Sequence, residues 1–527
     1  MKPVIALAAA VLAGLGPAAA GAQTPPERPV PPEVLQIIDG PTYAGASWGI
    51  RVVDLATGSP VYSLGPDSLF FTGSVRKLFS VAQALDRLGP GYRFTTPIHR
   101  RGSLGPDGVL RGDLVLVASG DLTLGGRTTR AGTVAFTAFD HVEANSLGGA
   151  ILTAPDPLAG IDALARQVAA SGVQRVTGDV VVDDRLFRKF RVPNGNVLIT
   201  PITVNDNLVD VTVRPTRPGS PARVDWRPRS AGLVVRSAVR TVPRGAAESI
   251  SLKTSKDGRT GVVRGTIAVG HRPSLPGVRT LVRTFTIADP SAYARTVLIE
   301  ALERRGVEVD APAVAPNRTA RLPERRSYPG ATRVARFVSP PYSEYAKLIL
   351  KVSHNYGANL SLMYAGLPEA RTLREALAAE RRRLTTRYGI PGDGFRFPTN
   401  GSGSPDSRAT PDAVLTLLRG MSGRPTFRPY FAALPALGVD GSLASVGRDP
   451  FDPVIATGFG KVYAKTGTTV DATGLKAQVF AGYMDPPSGR RMAYVVYVNN
   501  VTSVRSIADV IGVFADEGRI SALLRTS

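Results

Sequence analysis

Three short stretches of this chain carry residue types that together make a serine-based acyl-transfer site. Ser74-Val75-Arg76-Lys77 sets a hydroxyl three residues ahead of an amine. A serine hydroxyl is a weak nucleophile until a neighbouring base takes its proton, and a lysine does so once burial or nearby cations lower its pKa. Lysine is scarce here, ten residues in all, and Ser74 is the only serine with a lysine three residues later. Ser353-His354-Asn355 adds a second hydroxyl that can relay a proton. It also adds an amide that can bind a substrate carbonyl or orient Lys77. Lys465-Thr466-Gly467-Thr468 has the character of a strand edge. Such an edge offers backbone donors and acceptors to an extended peptide, and a glycine lets that peptide approach. Lys465 and the hydroxyls of Thr466 and Thr468 suit a terminal carboxylate, while the backbone N–H groups of Ser74 and Thr468 suit an oxyanion. Alone, the stretches also fit a capped helix, a polar helix end and a surface turn. Their combination and order carry the inference.

Local patterns say which elements must hold these residues. Leu78, Ala82 and Leu85 recur at spacings of four and three, so a helix begins at Ser74 and stops at Gly89-Pro90-Gly91. Residues at i and i+3 share a helix face, which brings Lys77 to Ser74. The second motif falls in a helical stretch at 343–363, and the third in a pair of strands at 461–484. Further strands are expected at 48–55, 61–64 and 492–498. Helices are expected at 288–304 and at the C-terminal end, the latter burying Val504, Ile507, Ala508, Ile511 and Phe514. Between 92 and 283, short β-like runs alternate with Gly, Pro, Asp and Asn. The expected fold is therefore α+β. An antiparallel sheet flanked by helices is built from 34–91 and 284–527, and a β-rich insertion at 92–283 makes one or two domains.

With 527 residues the chain is too long for one core. Cysteine is absent, which excludes disulfides and thiolate metal sites. His99, His141, His271 and His354 are scattered, so neither a metal nor a cofactor is expected. A net charge of +22, mostly arginine, favours anionic neighbours or is simply a solvated surface. No dense basic run is interleaved with aromatics, so no nucleic-acid partner is expected. Met1-Lys2, the apolar run from Val4 to Leu15 and Ala20-Gly21-Ala22 form a secretory signal peptide over 1–22. A proline-rich flexible leader follows at 23–33. The apolar run is short for a membrane span, so the expected product is exported, periplasmic or extracellular, without a transmembrane anchor. Oligomeric state is not legible.

The three motifs together resemble those of penicillin-binding proteins and serine β-lactamases. The chain is most similar to the class C low-molecular-mass penicillin-binding proteins, which are D-alanyl-D-alanine carboxypeptidases and endopeptidases. In that branch a large β-rich insertion separates the first two motifs, and here about 280 residues do so. Gly112-Asp113-Leu114-Val115-Leu116, Ser119-Gly120-Asp121-Leu122-Thr123-Leu124, Val204-Asn205-Asp206-Asn207, Ser339-Pro340-Pro341 and Gly438-Val439-Asp440-Gly441-Ser442 extend the resemblance. It implies a transpeptidase-like core and an acyl-enzyme on Ser74, with Lys77, Ser353 and Asn355 catalytic and Lys465, Thr466, Gly467 and Thr468 binding substrate. It implies peptidoglycan peptide stems as substrates and β-lactam antibiotics as covalent inhibitors, with the balance of carboxypeptidase and endopeptidase activity open. It also implies an insert aspartate that binds the free amine of the stem's diamino acid. Asp121 matches that position, although a turn-forming aspartate after Gly120 explains it equally. Thr72-Gly73 stands where the family usually has Pro-Ala, and Asn400-Gly401-Ser402-Gly403 where Asp-Gly-Ser-Gly is common. Arg76 is expected to help depress the pKa of Lys77. Two alternatives remain: a β-lactamase or esterase on the same core, and an envelope-binding protein with a vestigial site.

Overall fold

The structure is a computed structural model that describes residues 27–527 apart from Ser274, Pro276, Arg326 and Asp449. The expected signal peptide, 1–22, and the first part of the leader, 23–26, lie outside the described residues. The elements that position the site are strands β1 (Ser47–Asp54), β2 (Pro60–Leu64), β3 (Arg93–Leu104), β4 (Val109–Val117), β5 (Arg333–Pro341), β6 (Val462–Asp471), β7 (Gly474–Met484) and β8 (Met492–Val501). The helices are α1 (Arg76–Leu88), α2 (Pro290–Glu303), α3 (Tyr342–Lys351), α4 (Asn355–Gly366), α5 (Leu373–Thr386) and α6 (Ile507–Thr526).

The expected α+β core is present as an antiparallel sheet in the order β2-β1-β8-β7-β6. Side chains alternate across a strand, and both faces of this sheet are covered. Val479, Ala481, Tyr483, Val495 and Tyr497 pack on one side with Leu78, Phe79 and Leu85 of α1 and with residues of α3 and α4. Phe480, Tyr494 and Val496 face the other side, against Ile520 and Leu524 of α6. Double coverage explains why β7 and β8 are apolar almost throughout rather than alternating. The closing helix buries Val513, Ile520 and Leu524, whereas Ile507 and Ile511, expected inside, are 45% and 44% exposed. The sheet touches α6 later along its length than the apolar spacing of its first turns suggests.

The chain crosses to the insertion after α1. Strands β4, β3 and β5 form a sheet with Glu308–Val309 and Arg175–Val176 on the far edge, and Val180–Asp183 also pairs with β4. Two three-stranded sheets centre on Leu208–Arg214 and Thr260–Ala268. Packing does not change near 284, where the insertion was expected to end. Val297, Leu298 and Leu302 of α2 share one core with Ile98, Leu114, Val211 and Val263, and β5 pairs with β3. The chain rejoins the central core at Tyr342. The leader also differs from expectation from Glu27 onward. Arg28 N donates to Val61 O at 2.9 Å, Val30 is buried and a helix begins at Pro32. Val30 and Val34 supply an apolar side that a proline-rich reading overlooks.

The stretch expected as one helix at 343–363 is two, α3 and α4, interrupted at residues 352–354. Ser353 sits in that break with φ +63°, a left-handed conformation that is costly for a residue with a Cβ. His354 caps α4, its Nδ1 accepting from Gly357 N at 3.0 Å. The break lifts Ser353 out of regular helix beside α1 and sets Asn355 at the first position of α4.

Candidate active site

Ser74 lies in a 3-10 turn, Gly73–Val75, that runs directly into α1. This turn is seated on the edge of β6. A Cβ added to Gly467 would come within 2.4 Å of Thr72 O and 2.9 Å of Ser74 N, so only glycine allows the approach. Gly73 has φ +45°, and a Cβ there would lie 2.8 Å from Thr468 N. The Thr72-Gly73 departure thus fits its place: glycine takes the left-handed turn, and buried Thr72 donates through N to Ser407 O at 3.0 Å.

The three motifs converge. Lys77 Nζ reaches Ser74 Oγ at 2.5 Å, Ser353 Oγ at 3.2 Å and the carbonyl of Ser402 at 3.1 Å. Lys465 Nζ reaches the same Ser353 Oγ at 3.0 Å, and Thr466 O at 2.5 Å. Both lysines are fully buried, while Ser74, Ser353, Asn355 and Thr468 are half-buried. Burial penalises an ammonium, and it lowers Lys77 to about 7 against an opposing pull from Glu143. Lys465 is held well below the usual lysine range, by burial first and then by Lys77, with Glu143 again opposing. Thr466 Oγ1 pairs with Ser442 Oγ at 3.0 Å and Thr468 Oγ1 donates to Gln478 Oε1 at 2.8 Å.

Arg76 does not act as expected. Its guanidinium pairs with Glu380 of α5, donates to Ser80 Oγ at 3.0 Å and lies over the Phe397 ring, and no influence of it on Lys77 is resolved. Residues i and i+1 point to different helix faces, so the neighbour in sequence is not the neighbour in space. Glu380 is buried and its remaining side-chain partner is Gln83 Nε2 at 2.9 Å. Arg76→Met is therefore expected to cost about 3–5 kcal/mol by stranding a buried carboxylate. A thermal melt checks this, and an unshifted midpoint would mean that the Arg76–Glu380 pair does not hold the fold.

Asp121 is not brought to this cluster by its contacts. It is 3% exposed, and its Oδ1 accepts from Tyr345 OH at 2.6 Å and Thr123 N at 3.1 Å. Burial pushes its pKa up, the opposite of what a substrate ammonium requires.

Three further groups touch the motif residues. The Ser402 carbonyl is held by a loop that Asn400 organises, its Oδ1 accepting from Ser402 N at 2.8 Å and Gly403 N at 2.6 Å. Asn400 Nδ2 donates to Ser404 O at 3.0 Å, a bond that an aspartate could not make. The other two come from the insertion: Glu143 Oε1 accepts from Asn355 Nδ2 at 3.2 Å, and Asn194 Nδ2 donates to Asn355 Oδ1 at 3.3 Å. Asn400-Gly401-Ser402-Gly403 was visible in the sequence as a motif. Glu143 and Asn194 carried no signal, because a single polar residue in a loop has no spacing to recognise.

The chain is similar to the D-alanyl-D-alanine carboxypeptidase of Actinomadura sp. (strain R39), 27% identical over 525 residues that cover 93% of this chain and 84% of that protein. Its fold is that of penicillin binding protein 4 (dacB) from Haemophilus influenzae, with a TM-score of 0.69, 17% identity, and coverage of 94% of this chain and 99% of that one. A second structure of the Haemophilus protein, complexed with a novel β-lactam, matches with a TM-score of 0.64 and 17% identity over 94% of this chain and all of that one. Residues 33–516 match the family described as D-Ala-D-Ala carboxypeptidase 3 (S13). The chain belongs to that family of penicillin-binding serine peptidases.

Proposed function

We propose that this protein is an exported DD-peptidase that cleaves D-Ala-D-Ala termini, and also D-Ala cross-links, of peptidoglycan stems through an acyl-enzyme on Ser74. One observation supports it above the rest: Lys77 and Lys465 converge on the Ser353 hydroxyl while Lys77 also holds Ser74 Oγ. In the acylation step Ser74 Oγ attacks the carbonyl carbon of the penultimate D-alanine, and Lys77, as the free amine, takes the Oγ proton. The N–H groups of Ser74 and Thr468 face the developing oxyanion. Collapse breaks the C–N bond, and the leaving amine receives the proton from Lys77 through Ser353. Asn355 holds the acyl portion. Lys465, Thr466 and Thr468 receive the terminal carboxylate, and Gly467 keeps the strand edge clear. Water then cleaves the ester, returning the proton to Ser74. A β-lactam enters by the same attack, but its leaving group stays attached.

The test is intact-protein mass spectrometry over time after benzylpenicillin, alongside D-alanine release from a synthetic peptide ending in D-Ala-D-Ala. A long-lived adduct together with D-alanine release is the expected result. An adduct that clears rapidly while the drug is consumed would replace this reading by a β-lactamase. Absence of both adduct and release would leave a vestigial site.

A further inference from the structure

The inserted unit is more than a spacer between the first two motifs. Asn355 has both ends of its amide engaged by it, Nδ2 by Glu143 Oε1 at 3.2 Å and Oδ1 by Asn194 Nδ2 at 3.3 Å. Asn194 Nδ2 also reaches Ser402 Oγ at 3.0 Å, in the loop whose carbonyl holds Lys77. A donor on one side and an acceptor on the other fix which way the Asn355 amide points.

Glu143 is held there firmly. It ends the 3-10 turn His141–Glu143, and Asp140 and His141 at the start of that turn are clamped in buried ion pairs. Arg127 grips Asp140 with two bonds of 2.7 Å and also reaches Asp206 Oδ2 at 2.7 Å. His141 bridges Asp206 Oδ2 at 2.7 Å and Asp210 Oδ1 at 2.5 Å. The same Asp206 stands 3.2 Å, through Oδ1, from Nε2 of His354, the residue between Ser353 and Asn355. His354 Nδ1 accepts from Gly357 N, so Nε2 carries the ring proton. One buried cluster therefore braces both Glu143 and the second motif. Bidentate arginine–carboxylate geometry gives such a clamp direction as well as energy.

We propose that Glu143 and Asn194 are positioning residues of the acylation site: together they orient Asn355, and Glu143 supplies the negative charge that offsets the Lys77–Lys465 pair. This rests on Ser74 and Lys77 acting as nucleophile and base. Two lysines within hydrogen-bond reach of one hydroxyl cannot both be ammonium without a counter-charge. Both lysines meet at Ser353 Oγ, two residues before the Asn355 whose amide Glu143 holds at 3.2 Å. Glu143 acts on Lys77 of α1 and Lys465 of β6 through space and not through an ion pair, and Asp140 of its own turn acts on it in the same way. Burial pushes the Glu143 carboxyl up and Asp140 adds to this, while both lysines pull it down. Glu143 in turn favours the protonated form of Lys77. Without it Lys77 gives up its proton at lower pH.

The experiment measures the second-order rate of acylation by benzylpenicillin against pH, with thermal melts of each variant. For Glu143→Gln the acid limb of the profile is expected to move down by about one pH unit. For Asn194→Ala the rate is expected to fall about tenfold with the limb unmoved, as for one lost orienting hydrogen bond. If Glu143→Gln melts early, Glu143→Asp carries the test, because it keeps the charge but withdraws it; its limb moves the same way by less. An unmoved limb in the Glu143 variants overturns the charge role, and an undiminished rate in Asn194→Ala overturns the orienting role. A wild type that forms no adduct on Ser74 overturns the acyl-enzyme reading instead, so the two failures are distinct.

Discussion

Ser74→Ala is expected to give no covalent adduct with benzylpenicillin and no D-alanine release, while melting at the wild-type temperature. The hydroxyl is the only atom in the cluster placed to form the ester, because Lys77 and Lys465 are buried and Ser353 is held between them. Loss of a nucleophile costs the whole covalent route; what binding and an oxyanion site retain is smaller by orders of magnitude. The fold does not need the hydroxyl. Ser74 is half-buried, the turn is seated on β6 through backbone contacts, and Lys77 keeps Ser353 Oγ and Ser402 O as partners. The check is intact mass with and without drug, plus a melt. Undiminished labelling of the variant would remove Ser74 from the mechanism.

Lys77→Met carries the second large effect. Acylation is expected to fall by about 10²–10⁴-fold, the usual worth of a positioned base. The sign of the pH dependence follows from the base form being neutral. At a pKa of about 7, half of the molecules hold the free amine at pH 7. At the ordinary lysine value roughly one in two to three thousand would. The wild-type rate therefore rises as pH climbs through about 7 and levels above it. The residual rate of Lys77→Met lacks that inflection. Methionine keeps the length and apolar stem, so the buried site stays filled. An inflection that survives in the variant would assign the titration to another group, with Glu143 the first to examine.

Much of this was legible because the determinants are local. Ser74 and Lys77 are one helical turn apart, and any helix that starts at this turn places them together. Lys465 through Thr468 lie on one strand, and the apolar runs that became β7 and β8 announced a sheet. The role suggested for a neighbour in sequence fared worse. Arg76 is adjacent to Lys77 yet turns to Glu380. The helix at 343–363 was interrupted because His354 caps a new helix, and side-chain capping is invisible to an apolar periodicity. That α2 and β5 pack with residues of the insertion was not legible, because burial, not composition, decides which core an element joins.

By itself the sequence determined the order of the candidate residues: one serine, two lysines and a strand edge, with a large β-rich block between the first motif and the second. Tertiary structure alone decided their electrostatic setting. The pKa of Lys77 depends on the burial of its ammonium and on Glu143, and Glu143 reaches Asn355 across more than two hundred residues of chain. Motif spacing records only contacts along one element. Desolvation and the approach of single residues from a distant unit leave no period in the sequence, because they exist only after separate surfaces have packed.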